Sequence, residues 1–249
     1  MAFYDSYNYR HYWKNRKYEN QAEKIALRKL FQLIHQKKEK NILDIGAGFG
    51  RHTPLYASLF KKATLLEPSL KLIQEAQENL KNFSHLIFKK GTAQNLPYLK
   101  QSVNTVLMVR VAHHFNNLSP ILQEISRILT PNGTLILEFA NKMHFKARMK
   151  ALISNDLKSL NSLTPIDRRS KKNVKEKTIP FLNHHPETIE KNLQENNLKI
   201  IKKLSVSNFR SPILKKILPL DWLLFLEKIT QPLLAPLNFG PSIFILARK

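Results

Sequence analysis

Three glycines at alternate positions follow a short apolar stretch and could form a ligand-binding loop. Gly46, Gly48 and Gly50 end the run NILDIGAGFG. Glycine adopts backbone conformations closed to other residues and lets the main chain approach a bound molecule closely. Two carboxylates stand nearby: Asp44 lies just before the glycines, and Glu67 ends the next apolar run. This combination predicts a loop that holds a small ligand.

The glycine spacing separates two cofactor classes. In the dinucleotide fingerprint G-x-G-x-x-G the third glycine would fall at Arg51, whereas here it comes one residue early, at Gly50. A pyrophosphate is anionic and is poorly served by Asp44, but the sulfonium and ammonium groups of S-adenosylmethionine are cationic. Glu67 would accept hydrogen bonds from ribose hydroxyls in either case. The pattern favours S-adenosylmethionine, and a tight strand–helix turn without a ligand is the alternative.

Alternating strands and helices are predicted to position this loop. Apolar runs predict strands at 41–45, 63–67, 85–89, 103–111 and 134–139. Helices are predicted at 19–34, from 51–54, at 69–82 with Ser69 as N-cap, and at 119–129. Strict alternation favours an α/β, Rossmann-like fold, a mostly parallel sheet with helices on both faces and right-handed crossovers.

The second half of the chain interrupts this alternation. Residues 141–180 are basic and weakly patterned, and predict an insertion with one or two helices after the fifth strand. A helix at 186–197 and strands at 198–209 and 242–248 then complete the sheet. We predict a single domain, 1–249, in four parts: N-terminal cap helices (1–40), a cofactor-binding core (41–140), the basic insertion or lid (141–180) and a C-terminal completion of the sheet (181–249).

The composition excludes several kinds of chemistry. The 249 residues include no cysteine, which removes disulfides, thiolate metal sites and a cysteine nucleophile, and no metal site is predicted. The N-terminal stretch is polar and aromatic without an apolar signal core. No run of about eighteen apolar residues occurs, so we expect a cytoplasmic protein without a transmembrane segment.

The chain carries a formal charge of +23, which attracts nucleic acid and anionic lipid without any specific site. Residues 1–140 contain 20 Lys and Arg against 10 Asp and Glu, and residues 141–249 contain 21 against 8. The excess is therefore spread over the chain, with one denser cluster at 167–177. Nucleic-acid binding and a solvated basic surface both fit this distribution.

Five stretches resemble, in order and spacing, the class I S-adenosylmethionine-dependent methyltransferases. They are ILDIGAGFGR, LLEPS, GTAQNLPY, VAHHF and ISRILTPNGTLILEF, and the resemblance extends over residues 41–139. Within this family the sequence is most similar to the "methyltransferase domain 11" type, which includes ubiquinone and menaquinone biosynthesis enzymes. The resemblance implies a seven-stranded sheet whose last strand is antiparallel.

The resemblance also implies which residues contact the cofactor. Those assigned to the glycine loop and the next strand end are Asp44, Gly46, Ala47, Gly48, Gly50, Glu67 and Pro68. The loop would approach the methionine part and Glu67 would hold the ribose. Thr92 stands where the family usually has an adenine-binding Asp, so its hydroxyl would replace that carboxylate, and the Ala93 amide would face the ring.

Methyl transfer from a sulfonium needs alignment more than a catalytic motif, because the cofactor supplies the leaving group. His113 and His114 follow the fourth strand, and either could be a general base or only a helix-start residue. Arg110, at the end of that strand, could face the pocket or pack outside. Arg16 lies in an aromatic segment, 12–18, that could close over the cofactor and meet its carboxylate, or could form a surface cluster.

The methyl acceptor is less constrained by the sequence. No NPPY-like or DPPY-like run follows the fourth strand, so the chain does not resemble the enzymes that methylate amino groups of DNA or adenine. The lack of cysteine excludes the covalent mechanism for carbon-5 of pyrimidines. The apolar stretch 213–236 could line an acceptor pocket, lie on a membrane surface, or pack as a helix pair on the core. We predict a methyltransferase acting on a small-molecule or lipid-like acceptor. The alternatives are an RNA methyltransferase and a non-catalytic binding protein of the same fold.

Overall fold

A seven-stranded sheet forms the centre of the protein. The computed structural model describes residues 9–35, 38, 40–176 and 178–249. The strands are β1 (Asn41–Ile45), β2 (Lys62–Glu67), β3 (Leu86–Lys90), β4 (Val103–Met108), β5 (Leu129–Ala140), β6 (Ile166–Asp167), β7 (Leu182–Asn183), β8 (Lys199–Val206) and β9 (Ser242–Arg248). The main sheet has the order β3-β2-β1-β4-β5-β9-β8, and β6 pairs with β7 separately.

The strand order creates a crevice beside β1. Strands β1 to β5 pair in parallel, whereas β9 runs antiparallel to both β5 and β8. The order reverses at β1, because β2 and β3 lie on one side of it and β4 and β5 on the other. Ligands of open α/β sheets bind at the carboxyl edge beside such a reversal. The predicted Rossmann-like sheet with an antiparallel last strand is confirmed.

Helices cover both faces of this sheet. They are α1 (Tyr9–Lys14), α2 (Lys17–Gln32), α3 (Leu70–Asn79), α4 (Ser119–Ile128), α5 (Phe145–Ile153), α6 (Leu157–Asn161), α7 (Lys171–Lys175), α8 (Pro186–Glu195), α9 (Pro212–Ile217) and α10 (Leu220–Leu233). On one face Leu27 and Phe31 of α2 pack with Ile42 of β1. On the other face Leu122 of α4 and Ile189 of α8 belong to a second core. The central strands β1, β4 and β9 are buried on both sides, as their nearly continuous apolar sequence predicts, whereas the edge strands β3 and β8 are partly exposed.

The helix predicted from 51–54 is wrong. Two short 3-10 turns, Thr53–Leu55 and Ala57–Leu59, occupy this connection instead. Tyr56, between the two turns, points inward and is fully buried.

Strand β5 begins at Leu129, ahead of its predicted start. The TPNG residues, 130–133, lie inside the strand and not in a turn before it. They are accommodated by a shift of register between the pairs Val103–Leu129 and Thr105–Thr134. The turn-forming residues therefore distort one strand and do not separate it from α4.

The insertion, 141–180, contains three short helices, α5 to α7, where one or two were predicted. Each begins with a side-chain cap: His144, Asp156 and Ser170 accept a backbone N–H from the residue three positions on. Such caps stabilise helices whose apolar pattern is too weak to predict them. Residues 1–8 of the predicted N-terminal cap lie outside the described residues.

A buried carboxylate joins α10 to α2 and to the end of β8. Glu227 accepts hydrogen bonds from the Tyr18 hydroxyl at 2.6 Å and from the Ser207 and Asn208 N–H groups at 2.7 and 3.0 Å. The Tyr18 hydroxyl also accepts the Phe209 N–H at 2.9 Å. Burial raises the pKa of Glu227, and these donors oppose that rise.

Tyr18→Phe should lower the free energy of unfolding by about 1–3 kcal/mol, because it removes a donor from a buried carboxylate and an acceptor from a backbone N–H. Urea unfolding measures the change. Leu233→Ala, at an exposed end of α10, is the control and should cost less than about 1 kcal/mol. Equal losses in the two variants would show that this hydrogen bond does not hold α10 in place.

Candidate active site

The glycine loop leaves β1 in a conformation that requires glycine. Gly46, Gly48 and Gly50 have φ angles of 69°, 57° and 76°. Positive φ is the left-handed region that residues with a Cβ atom rarely adopt. The Gly46 and Ala47 N–H groups donate to the Leu66 carbonyl at 2.7 and 3.4 Å, which ties the loop to the end of β2.

Close packing also restricts two of the glycines. A Cβ atom on Gly46 would lie 2.3 Å from Cγ2 of Val111, and one on Gly50 would lie 2.5 Å from Cδ1 of Leu80. The loop is therefore held between the residues after β4 and the end of α3. Turn geometry alone accounts for these two glycines, so the evidence for a cofactor must come from the surrounding polar groups.

Glu67 connects the tip of the glycine loop to the start of α3. Its two carboxylate oxygens accept the N–H groups of Gly48 and Ser69, both at 3.0 Å, and the side chain is 4% exposed. Each carboxylate oxygen can accept a second hydrogen bond. Glu67 therefore retains acceptor capacity for ribose hydroxyls. Pro68 lies half-buried beside it, and Ser69 caps α3 as predicted.

Asp44 is buried behind the loop and accepts a hydrogen bond from the Tyr56 hydroxyl at 2.6 Å. Burial raises the pKa of Asp44 to about 7, the Tyr56 hydrogen bond opposes the rise, and the negative charge of Glu67 adds to it. Asp44 is therefore only partly ionised at neutral pH. Its contribution to binding a cationic cofactor is smaller than that of a fully ionised aspartate.

Thr92 and Ala93 lie just beyond the end of β3. Thr92 is exposed and forms a short bridge with Asn95, while Ala93 is buried in the core cluster on that face. The Gly91 N–H donates to the Glu67 carbonyl at 3.3 Å, so these residues are held next to the ribose-binding candidate. Their contact with adenine stays a prediction.

The aromatic segment of α1 meets the end of β4. Arg110 has a φ of 63°, and its guanidinium donates to the Tyr12 hydroxyl at 3.0 Å. Arg16 lies over the Tyr12 ring, 4.2 Å from its centroid. The backbone N–H of Arg110 donates to the Glu138 carboxylate at 2.8 Å. Arg16 and Arg110 are thus brought together, and both line the cavity described below.

A buried ion pair fixes α2 against the residues after the glycine loop. Glu23, 2% exposed, pairs with Arg51 at 2.5 Å and contacts His52 at 3.3 Å. Burial raises the pKa of Glu23, but the Arg51 guanidinium and the His52 hydrogen bond outweigh it and hold the pKa at about 2. Arg51 also stacks on Trp13, 3.5 Å from the ring centroid. Glu23 is therefore a structural carboxylate, ionised at neutral pH.

His113 and His114 do not line the cavity that contains Arg16 and Arg110. The His113 ring is 3% exposed and lies 4.1 Å from the His114 ring and 4.5 Å from the Phe181 ring, measured between centroids. Burial lowers the pKa of both histidines, and the nearby positive charge of Arg110 adds to the effect. His114 Nδ1 contacts the Pro180 carbonyl at 2.9 Å. A general-base role for either histidine stays a prediction, and these environments weaken both as bases.

A cavity of about 800 Å³ lies at the carboxyl edge of the sheet. Its walls come from α1 and the start of α2, from Arg110, from the end of β5, and from several side chains of the insertion. Residues that the sequence did not single out include Lys142, His144, Arg168 and Arg210. The basic composition of 141–180 was the one signal for the first three, Arg210 had none, and nothing indicated that the four would converge.

The stretch 213–236 contributes no residue to this cavity among the described residues, so of the three roles that the sequence left open, the lining of an acceptor pocket is not the one seen here. One side of α10 packs Leu223 and Gln231 against the body of the protein, as a helix pair on the core would. The other side exposes Trp222 and Phe225, at 63% and 57%. Within the described part of the chain, no helix has the length and apolarity needed to cross a bilayer.

The sheet order, the glycine loop and the strand-end carboxylates define a Rossmann-like cofactor-binding fold, which is shared with solved S-adenosylmethionine-dependent methyltransferases. One of these, from Mesorhizobium loti, aligns with a TM-score of 0.61 at 11% identity, over 90% of this chain and 98% of that one. At this identity the likeness shows the fold alone.

Residues 43–137 match the family described as "Methyltransferase domain". Over 138 residues the chain is 28% identical to a demethylmenaquinone methyltransferase from Tropheryma whipplei, covering 50% of this chain and 57% of that protein. It is 26% identical over 114 residues to a ubiquinone/menaquinone biosynthesis C-methyltransferase from Rubrivivax gelatinosus, covering 45% of each. The chain thus spans about half the length of these relatives. The predicted resemblance is confirmed over residues 43–137, which match the methyltransferase-domain family, and the solved structures that share the fold are S-adenosylmethionine-dependent methyltransferases.

The polar groups of the crevice fit S-adenosylmethionine. Glu67 and the partly ionised Asp44 place negative charge at the loop, where a pyrophosphate would be repelled and cationic groups are favoured. Glu67 offers acceptors for ribose, and Arg16 and Arg110 offer donors for the methionine carboxylate. Among the described residues, no cluster of His, Asp or Glu is arranged to hold a metal ion.

The stability of the protein should depend on the ionisation of Asp44. Because its pKa is about 7 in the folded protein, against an ordinary aspartate value of 3.8, the folded state is favoured below pH 4. That advantage of roughly 2–4 kcal/mol is lost as the pH rises through 7. Asp44→Asn should remove most of this pH dependence in urea unfolding between pH 4 and pH 8. Asp221→Asn, on the exposed surface of α10, should leave it intact, and an unchanged slope in Asp44→Asn would place the titrating group elsewhere.

Proposed function

We propose that this protein transfers a methyl group from S-adenosylmethionine to a small-molecule acceptor bound in the cavity at the carboxyl edge of the sheet. The observation that carries the proposal is the position of Arg110. Its side chain lines the cavity, and the next residue, Val111, packs on Gly46 of the glycine loop. The proposed cofactor crevice and the cavity therefore adjoin at the end of β4.

Each part of the crevice offers a distinct contribution to cofactor binding. The loop from Gly46 to Gly50 would face the methionine part, and Glu67 with Pro68 would hold the ribose. Thr92 and Ala93 would contact adenine. When bound, S-adenosylmethionine supplies an electrophilic methyl group on a sulfonium that is its own leaving group. The protein then has to align the acceptor with that methyl group and exclude water.

The insertion is suited to exclude water. Helices α5 and α6 supply Ala147, Ala151 and Leu160 to the cavity wall, so apolar surface faces the space where an acceptor would lie. Lys142 is 2% exposed, and its ammonium donates to the Ser162 and Thr164 carbonyls, the second at 2.9 Å. This anchor ties the segment after α6 to the end of β5. It holds the insertion over the cavity.

The cavity dimensions favour a small molecule over RNA. A volume of about 800 Å³ lies in the range of about 300–1,000 Å³ that is typical of small-molecule sites. Of the densest basic cluster, 167–177, Arg168 lines the cavity, whereas Lys171 and Lys175 are exposed and do not. A lipid-like acceptor is compatible with the quinone-related names of the relatives and with the exposed apolar side of α10. A lipid-like small molecule is therefore the second kind of acceptor that we propose.

Calorimetry with S-adenosylmethionine and S-adenosylhomocysteine tests the first half of the proposal. We expect both to bind, and Glu67→Ala should weaken binding by roughly 1–3 kcal/mol because it removes a charged hydrogen-bond acceptor. Glu78→Ala, on the exposed side of α3, is the matched control and should bind normally. If the wild-type protein binds neither ligand, it is a non-catalytic member of the fold and the proposal fails.

Filling the cavity tests the second half. Ala147→Trp places a large ring in the cavity wall and should abolish methyl transfer to the acceptor, while S-adenosylmethionine affinity changes by less than about threefold, since less than 1 kcal/mol is involved. Radiolabelled transfer into metabolite and RNA extracts would first identify the acceptor. Leu152→Trp, on the exposed side of the same helix, should retain activity. Normal turnover by Ala147→Trp would show that the acceptor binds elsewhere.

A further inference from the structure

The cavity has an excess of positive charge. Seven lysines and arginines line it, against four carboxylates, Glu19, Glu23, Glu138 and Asp156. Two of these carboxylates are neutralised by cations outside the lining: Glu23 pairs with Arg51 at 2.5 Å, and Glu19 with Lys215 at 2.6 Å. Each also attracts one arginine of the cavity, Glu19 acting on Arg210 and Glu23 on Arg110, but both are shared with a cation outside it, so they offset the charge of the cavity only in part.

The other two carboxylates are also engaged. Glu138 accepts the backbone N–H of Arg110 at 2.8 Å and the Ser242 hydroxyl. Asp156 accepts the Ser159 N–H at 3.3 Å, as the cap of α6. None of these contacts uses a lysine or arginine side chain of the cavity. The positive charges must be balanced by solvent ions or by a ligand.

Two of the arginines, Arg168 and Arg210, extend into the cavity from backbone segments that hydrogen bonds hold in place. Arg168 follows β6, and its backbone N–H donates to the Phe181 carbonyl at 2.8 Å. Arg210 follows Phe209, whose N–H is bonded to the buried Tyr18 hydroxyl at 2.9 Å. Within the described residues neither side chain forms an ion pair or a side-chain hydrogen bond. Both are exposed overall and face the cavity from separate segments.

His144 lies within the field of both arginines. Its Nδ1 accepts the Ala147 N–H at 3.3 Å, which assigns the ring proton to Nε2. Burial lowers the pKa of His144 to about 4, and the positive charges of Arg210 and Arg168 contribute next. At neutral pH His144 is therefore an uncharged ring with one N–H available to a ligand, next to two cations.

We infer that the methyl acceptor carries an anionic group, a carboxylate or a phosphate, which Arg168 and Arg210 bind and to which His144 donates a hydrogen bond. The inference rests on the proposed function for the identity of the ligand as an acceptor. S-adenosylmethionine does not supply this anion, because it carries more positive than negative charge. Its single carboxylate would be bound by Arg16 and Arg110 in the proposed function, beside the aromatic cluster of α1.

Binding of simple anions tests the inference. Benzoate and inorganic phosphate are titrated into the full-length protein, with benzamide as an uncharged molecule of the same shape as benzoate. We expect both anions to bind and benzamide not to bind. Arg168→Gln/Arg210→Gln should weaken anion binding by about tenfold or more. Each lost charge-assisted hydrogen bond costs about 1.5–3 kcal/mol, and about 1.4 kcal/mol corresponds to a tenfold change in affinity.

Lys171→Gln/Lys175→Gln is the matched control, because it removes the same charge from α7 outside the cavity. It should leave anion affinity unchanged. Equal binding of benzamide, no binding of either anion, or equal losses in the two double variants would overturn the inference. If the double glutamine variant does not fold, Arg168→Lys/Arg210→Lys is used instead, because it keeps both charges and removes only the planar donors. It should weaken anion binding by less than the roughly tenfold expected for the double glutamine variant.

Two further measurements separate this inference from the proposed function. Calorimetry with S-adenosylmethionine is run on the wild type and on the same variants. If the wild type does not bind S-adenosylmethionine, the proposed function is wrong, and benzoate binding would still report the anion site. A uridine oligonucleotide is then used as competitor. Displacement of benzoate by the oligonucleotide would assign the arginines to an RNA backbone and overturn the small-molecule inference. No displacement supports it.

Discussion

Buried carboxylates at the ends of the strands hold the functional edge of this protein together. Asp44 in β1, Glu67 in β2 and Glu138 in β5 are each at most 5% exposed. A buried carboxylate is costly unless hydrogen bonds satisfy it; the Tyr56 hydroxyl satisfies Asp44, and backbone N–H groups of the loops satisfy Glu67 and Glu138. Glu67 accepts from the glycine loop and from the start of α3, and Glu138 from the residue after β4. Hydrogen bonds to these carboxylates therefore hold the loops after β1, β2 and β4 in place, and the crevice between the loops has a defined shape.

The distribution of charge then divides this edge into two regions. Around the glycine loop the carboxylates dominate, which suits a cationic cofactor. In the cavity the arginines and lysines dominate, and its carboxylates have partners that do not use the cavity's own lysine or arginine side chains. The two regions meet at Arg110, whose backbone and side chain serve different neighbours: the N–H satisfies Glu138, while the guanidinium reaches Tyr12. A positive φ at Arg110 permits both contacts.

The sequence predicted what depends on local pattern. The strands, the capping Ser69 and the glycine loop follow from periodicity and from residue types with few alternative conformations. The TPNG run shows the limit, because its turn residues were recognised but the pairing of Val103 with Leu129, which draws them into β5, is a long-range contact. Arg168, Arg210 and His144 could not be placed for the same reason. They lie on segments without apolar periodicity, and only the tertiary packing of Phe181 and Tyr18 brings them to one cavity.

The boundary of the family match carries its own consequence. Of the described residues that line the cavity, only Arg110 falls within the matched residues 43–137; the others lie before or after it. What this chain shares with its relatives is therefore the cofactor-binding half, where the glycine loop and Glu67 lie. The walls that would recognise an acceptor come from α1, the insertion and the residues around Arg210. A relative's acceptor is for this reason a weak guide to the one used here, and the charge of the cavity is the stronger one.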